Sequence, residues 1–155
     1  EEDTLGTLHD KLKKIGAKGL EKAIDLIESG KVIAEKQDES LVTFVKPISK
    51  EQEIIDWSDT KENIYNKIRG LNPFPGALSY YDDQIIKVYL SEKIDKEYDG
   101  EYGEVVEIIN KKGPVVKVKN GGIILKEVKF QGKKSQSGID IINGRKIILN
   151  SKFGK

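Results

Sequence analysis

Cysteine and methionine are absent from this 155-residue chain, and histidine and tryptophan occur once each. Without cysteine there is no disulfide, no thiolate metal site and no thiol nucleophile. The one histidine, His9, falls on an expected helix, where a lone imidazole reads as a surface or packing residue. No metal-ligand cluster, phosphate-cradling glycine loop or nucleophile elbow occurs, and the Gly121-Gly122 pair belongs to a turn. Carboxylates are abundant but scattered, with nothing selecting one pair for acid–base work. No apolar run approaches the length of a membrane span, and the acidic start is unlike a signal peptide. The composition therefore reads as a soluble, cytoplasmic chain. The missing initiator methionine reads as a piece cut from a longer chain. On residues alone, a binding module is left.

The last third also lacks acid. From Ile108 to Lys155 there are 12 basic residues against only Glu127 and Asp140, a net of +10. That leaves 15 basic and 24 acidic residues in 1–107, a net of −9, so the formal total of +1 conceals two opposed segments. Such asymmetry is an electrostatic statement about a polyanionic partner. The candidate nucleic-acid ligands are Lys111, Lys112, Lys117, Lys119, Lys126, Lys129, Lys133, Lys134, Arg145 and Lys146. A lysine-rich surface that only solvates the chain is the plainer alternative.

The periodicity predicts helices over Asp3–Ile15 and Lys18–Ser29, interrupted at Gly16 and stopped at Gly30, with apolar stripes that have no nearby surface to pack on. Leu41–Val45 reads as a short strand. Ser49 and Gln52 form a capping-box signal, and a helix from Asp59 must end at Asn72, before Pro73. Alternation then replaces helical spacing. Strands are expected over Ala77–Tyr81, Gln84–Glu92, Gly103–Asn110, Pro114–Lys119 and Gly122–Phe130. Asp82-Asp83 and Asn120-Gly121 mark tight hairpins, the latter of the type needing positive φ at both residues. Ser137 caps a small helix ended by Asn143-Gly144. The expected fold is α+β: a helical lead-in, then an OB-like antiparallel β-barrel with a small helix.

Several stretches, in order from residue 2 to 134, resemble the C-terminal half of bacterial methionyl-tRNA formyltransferase. They are Glu2 to Leu12 (EDTLGTLHDKL), Gln37-Asp38-Glu39, Ile48 to Trp57 (ISKEQEIIDW), Ile68 to Ala77 (IRGLNPFPGA) and Gly132-Lys133-Lys134. The resemblance implies that residues 1–30 close a truncated formyltransferase domain, that 31–57 connect, and that 58–155 form an OB-like tRNA-binding domain. It implies initiator methionyl-tRNA as partner, with the chain a monomer. It also implies 10-formyltetrahydrofolate as co-substrate of the full-length parent, with no cofactor or catalytic residue in this fragment. The family's catalytic histidine precedes a Ser-Leu-Leu-Pro segment that is missing here, so His9 inherits no role and the fragment is expected to be inactive alone. A sugar-nucleotide formyltransferase tail and a non-enzymatic interaction domain remain open beside this reading.

Overall fold

A computed structural model describes residues 2–154 of the chain. Alternating apolar residues in the second half assemble a six-stranded antiparallel sheet in the order β1-β2-β5-β4-β3, with a short β6 pairing to β5. The strands are β1 (Ala77–Tyr81), β2 (Gln84–Ile94), β3 (Val105–Ile109), β4 (Gly113–Val118), β5 (Gly121–Phe130) and β6 (Gln136–Ser137). The Asp82-Asp83 hairpin forms as expected: Tyr81 pairs with Gln84, and both aspartates sit at positive φ, 48° and 58°. That is the backbone a two-residue hairpin matched to strand twist demands. The β4–β5 turn differs from expectation. Val118 pairs with Gly121, so the two loop residues are Lys119 and Asn120, neither at positive φ.

The edge strands β1 and β3 do not pair with each other. Instead the C-terminal segment binds both. Val105 N–H donates to the Ser151 carbonyl at 2.8 Å, Phe153 N–H to Gly103 at 2.8 Å and Gly154 N–H to Tyr80 at 3.0 Å. The OB-like sheet thus has its edges linked through residues 150–154 rather than by a β1–β3 ladder. Phe153, 2% exposed, lies 4.9 Å from the Tyr81 ring and 5.4 Å from Trp57. The buried Trp57 indole donates to the Ser79 hydroxyl at 2.8 Å. Ile86, Val88, Val105, Val116, Ile123, Leu125 and Val128 join them in the core from the strands.

Helices flank this sheet. α1 (Leu5–Glu28) runs unbroken through Gly16, where two helices were expected. An interior glycine costs only about 1 kcal/mol relative to alanine, which weakens a helix without ending it. Thr4 and Thr7 form its capping box. Its end is a Schellman turn, with Gly30 at φ +68° and Lys31 N–H on the Leu26 carbonyl. No residue of α1 is buried. It touches the sheet domain at its start, where Gly6 N–H donates to the Asn72 carbonyl and Arg69 to the Asp3 carbonyl, both at 2.9 Å. Leu41–Val45 is not a strand: a 3-10 turn covers Glu39–Leu41, and Phe44 and Val45 are more than 90% exposed. β-propensity alone makes no strand where no sheet edge is at hand to pair with it. α2 (Lys50–Glu53) carries the expected capping box. α3 (Lys61–Gly70) buries Ile64 and Ile68 against β2 and β5. α4 (Gly138–Asn143), capped by Ser137, packs Ile141 over β4 and β5.

Candidate nucleic-acid interface

By parity, Lys126 shares a side of β5 with Val128 and Phe130, and Lys129 with Ile123 and Leu125, so the sequence alone mixes the faces. The register separates them. Tyr89 is unmatched on β2 between the Val88↔Val128 and Leu90↔Glu127 pairs, and Lys126 is unmatched on β5 between Leu90↔Glu127 and Ser91↔Leu125. Each unmatched residue shifts the alternation by one. Ile123, Leu125 and Val128 can therefore all be fully buried, while Lys129 emerges directly opposite Lys87.

Two lysines facing each other across a ladder repel and cost stability. Lys87 is steadied by donating to the Pro75 carbonyl at 2.5 Å, with the Glu53 carboxylate 3.9 Å away. Lys129 is exposed and has no ion-pair partner among the described residues. Both line a groove of about 330 Å³ formed by Pro73, Phe74, Pro75, Ile85, Tyr89, Phe130, Gln131 and Gly132, with no carboxylate in its wall. Phe74 is 78% exposed. A second groove, of about 260 Å³, also uses Phe130. It is lined by Lys133 and Lys146 with Tyr81, Asp82 and Gln84. Lys146 donates to Gln136 at 2.7 Å. Lys134 and Arg145 are exposed in the adjoining loops. The structure thus gathers Lys129, Lys133 and Lys146 around Phe130 and adds Lys87.

The remaining sequence candidates lie elsewhere. Lys112 and Lys126 converge on Glu92, at 2.5 and 3.7 Å. The Lys112 hydrogen bond, with help from Lys126, holds the Glu92 carboxyl below the usual range. Lys117 is half-buried, donates to the Tyr98 carbonyl and lies 5.9 Å from the Tyr102 ring centroid. Beside it, Lys152 pairs with Glu101. Lys111 occupies the β3–β4 turn at φ +62°, and Lys119 the β4–β5 turn. Lys155 lies outside the described residues. A charge count beginning at Ile108 could not reach Lys87, Tyr89 or Phe74. Lys87 was nonetheless legible as the polar residue between Ile86 and Val88 on an alternating strand.

Among the described residues no group of three His, Cys, Asp or Glu side chains could hold a metal, and no helix is long and apolar enough to cross a membrane. The structure of HypX from Aquifex aeolicus in complex with tetrahydrofolic acid is similar over 84% of this chain and 23% of that one, with a TM-score of 0.66 and 15% identity. That likeness supports the fold. Methionyl-tRNA formyltransferase of Fusobacterium nucleatum is 48% identical over 99% of this chain and 50% of its own length. The enzyme of the same name from Bacillus subtilis is 40% identical over 99% and 49%. The chain spans about half the length of these curated relatives. Residues 47–146 match the family described as formyl transferase, C-terminal domain. With nearly the whole OB-like sheet inside that match, the chain belongs to the formyl transferase C-terminal domain family.

Proposed function

We propose that this chain holds initiator methionyl-tRNA for a methionyl-tRNA formyltransferase whose chemistry resides in sequence outside these residues. The observation that carries the reading is the Lys87–Lys129 pair in a groove wall free of carboxylates. Lys129, which has no ion-pair partner among the described residues, and Lys87, whose nearest carboxylate is Glu53 at 3.9 Å, present two cations on one groove wall that a phosphate backbone can use. Lys133, Lys134, Lys146 and Arg145 extend the positive surface past Phe130, and phosphate contacts of this kind position a nucleic acid without reading its sequence. Residues 1–30 act as the closing helix of the preceding domain, which covers the apolar stripe of α1, and 31–57 as the connection. The formyl donor, 10-formyltetrahydrofolate, is assigned no residue of this chain, and the protein works as a monomer in the cytoplasm.

The test is a tRNA titration at several salt concentrations. Each phosphate contact contributes a slope of about −0.7 to −0.9 in log K against log salt. A Lys129→Ala, Lys133→Ala double variant is expected to bind initiator and elongator tRNAs more weakly by a similar factor, with a slope shallower by about one to two units. Lys112→Ala with Lys126→Ala is expected to change the slope less, because both ammonium groups are held on Glu92, which offsets one of their two charges. Equal slopes for all three proteins would refute the electrostatic reading of this face.

A further inference from the structure

We infer that Phe74 is a stacking platform for an unpaired nucleotide, and that the loop carrying it forms a base subsite beside the phosphate-binding lysines. The inference rests on the tRNA reading above and adds to it a contact that charge cannot supply. Phe74 stands between Pro73 and Pro75, whose rings fix φ near −65° and limit the loop's freedom. The Lys87 ammonium holds the Pro75 carbonyl, and Gly76 N–H donates to the Leu71 carbonyl at 2.8 Å. An aromatic ring is thus left 78% exposed on a short loop tied at its base. A single exposed apolar side chain is ordinary by itself; Phe74 is set apart by what rims its groove. Here the rim is Lys87, Lys129 and the Tyr89 ring.

The chemistry of one occupant fits all of these. A nucleobase offers a π-face to Phe74 whatever its identity, and its own phosphates reach the neighbouring ammonium groups. An acidic peptide would use the lysines and leave the ring idle; an apolar peptide would bury the ring against two charges. Among RNA structures only unstacked nucleotides present a free base face, so the ligand is a loop, bulge or single-stranded end.

The test uses the 155-residue chain with two probes, unfractionated tRNA and a single-stranded 12-nucleotide oligoribonucleotide, each titrated across salt. Phe74→Ala is expected to weaken oligonucleotide binding about 5- to 150-fold, the range alanine substitution gives at stacked bases, with the salt slope unchanged. Phe74→Leu, which keeps the apolar bulk of the loop, should lose nearly as much, and Phe74→Trp should recover it. Trp57 is buried, so quenching of an exposed indole at 74 on adding oligonucleotide reports stacking directly. Retained tRNA binding with no loss in Phe74→Ala overturns this inference alone and makes Phe74 a protein-facing residue. A loss accompanied by a shallower slope also overturns it, since the loop would then act by placing the lysines. If the unaltered chain binds neither probe with salt dependence, the tRNA reading fails and the subsite fails with it.

Discussion

At the scale of single residues, a three-member contact couples one carboxyl and one phenol on the sheet to pH. Glu107 on β3 accepts from the Lys96 ammonium at 2.7 Å and from the Tyr98 hydroxyl at 2.6 Å, on the same oxygen. The Lys96 hydrogen bond, then that of Tyr98, holds the Glu107 carboxyl below its usual range. Burial, then the Glu107 carboxylate, pushes the Tyr98 phenol well above its usual range. The two signs are opposite. The depressed carboxyl contributes stability above its unfolded pKa of about 4.3 and loses it as pH falls through the lower folded value. The elevated phenol contributes stability below its unfolded pKa of about 10 and loses it as pH rises through the higher folded value. Tyr98→Phe is therefore expected to cost about 1.5 kcal/mol near neutral pH, the lower end for a bond to a charged group, since Lys96 still serves Glu107. Above about pH 10 the gap should close. Urea midpoints for both proteins from pH 6 to 11.5 check this, and parallel curves at the alkaline end would show that the phenol does not titrate against Glu107.

At the scale of elements, the β4–β5 turn is joined to the start of α3. The Asn120 side-chain carbonyl accepts from Lys61 N–H at 2.8 Å, and its amide donates to Glu62 at 2.9 Å. The first residue of α3 would otherwise carry one of the helix's orphan N–H donors. Thr60 serves Asn63 as the local cap, and the hairpin supplies a second acceptor for the Lys61 N–H that Thr60 leaves open. Asn120 is kept for its side chain, and the backbone demand falls on Gly121 at φ +143°, where a Cβ would come within 2.5 Å of the Ile94 carbonyl oxygen. Gly121→Val is expected to cost at least the ~1–3 kcal/mol of a strained backbone. Asn120→Ala should cost about 1 kcal/mol through loss of the cap. Amide exchange distinguishes them: Asn120→Ala should speed exchange in the first turn of α3 while leaving β4 and β5 protected. Equal loosening of the whole hairpin would assign Asn120 a backbone role instead.

At the scale of the whole molecule, two ends of the chain behave oppositely. The C-terminal segment is built into the core: Tyr81 donates to Ser151 at 3.0 Å and accepts from Ile148 N–H at 3.3 Å, while the Phe153 ring packs at a tilt between Tyr81 and Trp57. Phe153→Ala is expected to cost about 3–5 kcal/mol, the usual range for emptying a buried aromatic site, and to do so in one cooperative transition. A denaturation midpoint close to that of the unaltered protein would mean that the segment is an appendage. α1 carries eight large apolar side chains from Leu5 to Ile27, each at least 45% exposed. The sheet domain buries none of them.

The sequence alone determined the local features. The Asp82-Asp83 hairpin, the Ser49–Gln52 and Ser137 caps and the stop before Pro73 each depend on residues within a few positions, whose backbone preferences act without distant partners, and the five main strands showed in their alternation. Gly16 misled because a helix interior tolerates one glycine, and Leu41–Val45 because a strand needs a neighbour that only the assembled sheet supplies. The ordered motifs also carried the family, since they span the matched residues. Which cations share a surface was a tertiary decision. It depended on two unmatched residues, Tyr89 and Lys126, whose shifts in register come from strand pairing that alternation along one chain cannot express. It depended also on distant carboxylates: Glu92 takes Lys112 and Lys126, 20 and 34 positions away, and leaves Lys129 free to face Lys87. Charge composition can count lysines, but only the folded chain brings the acids that neutralise some of them and withholds acids from the rest.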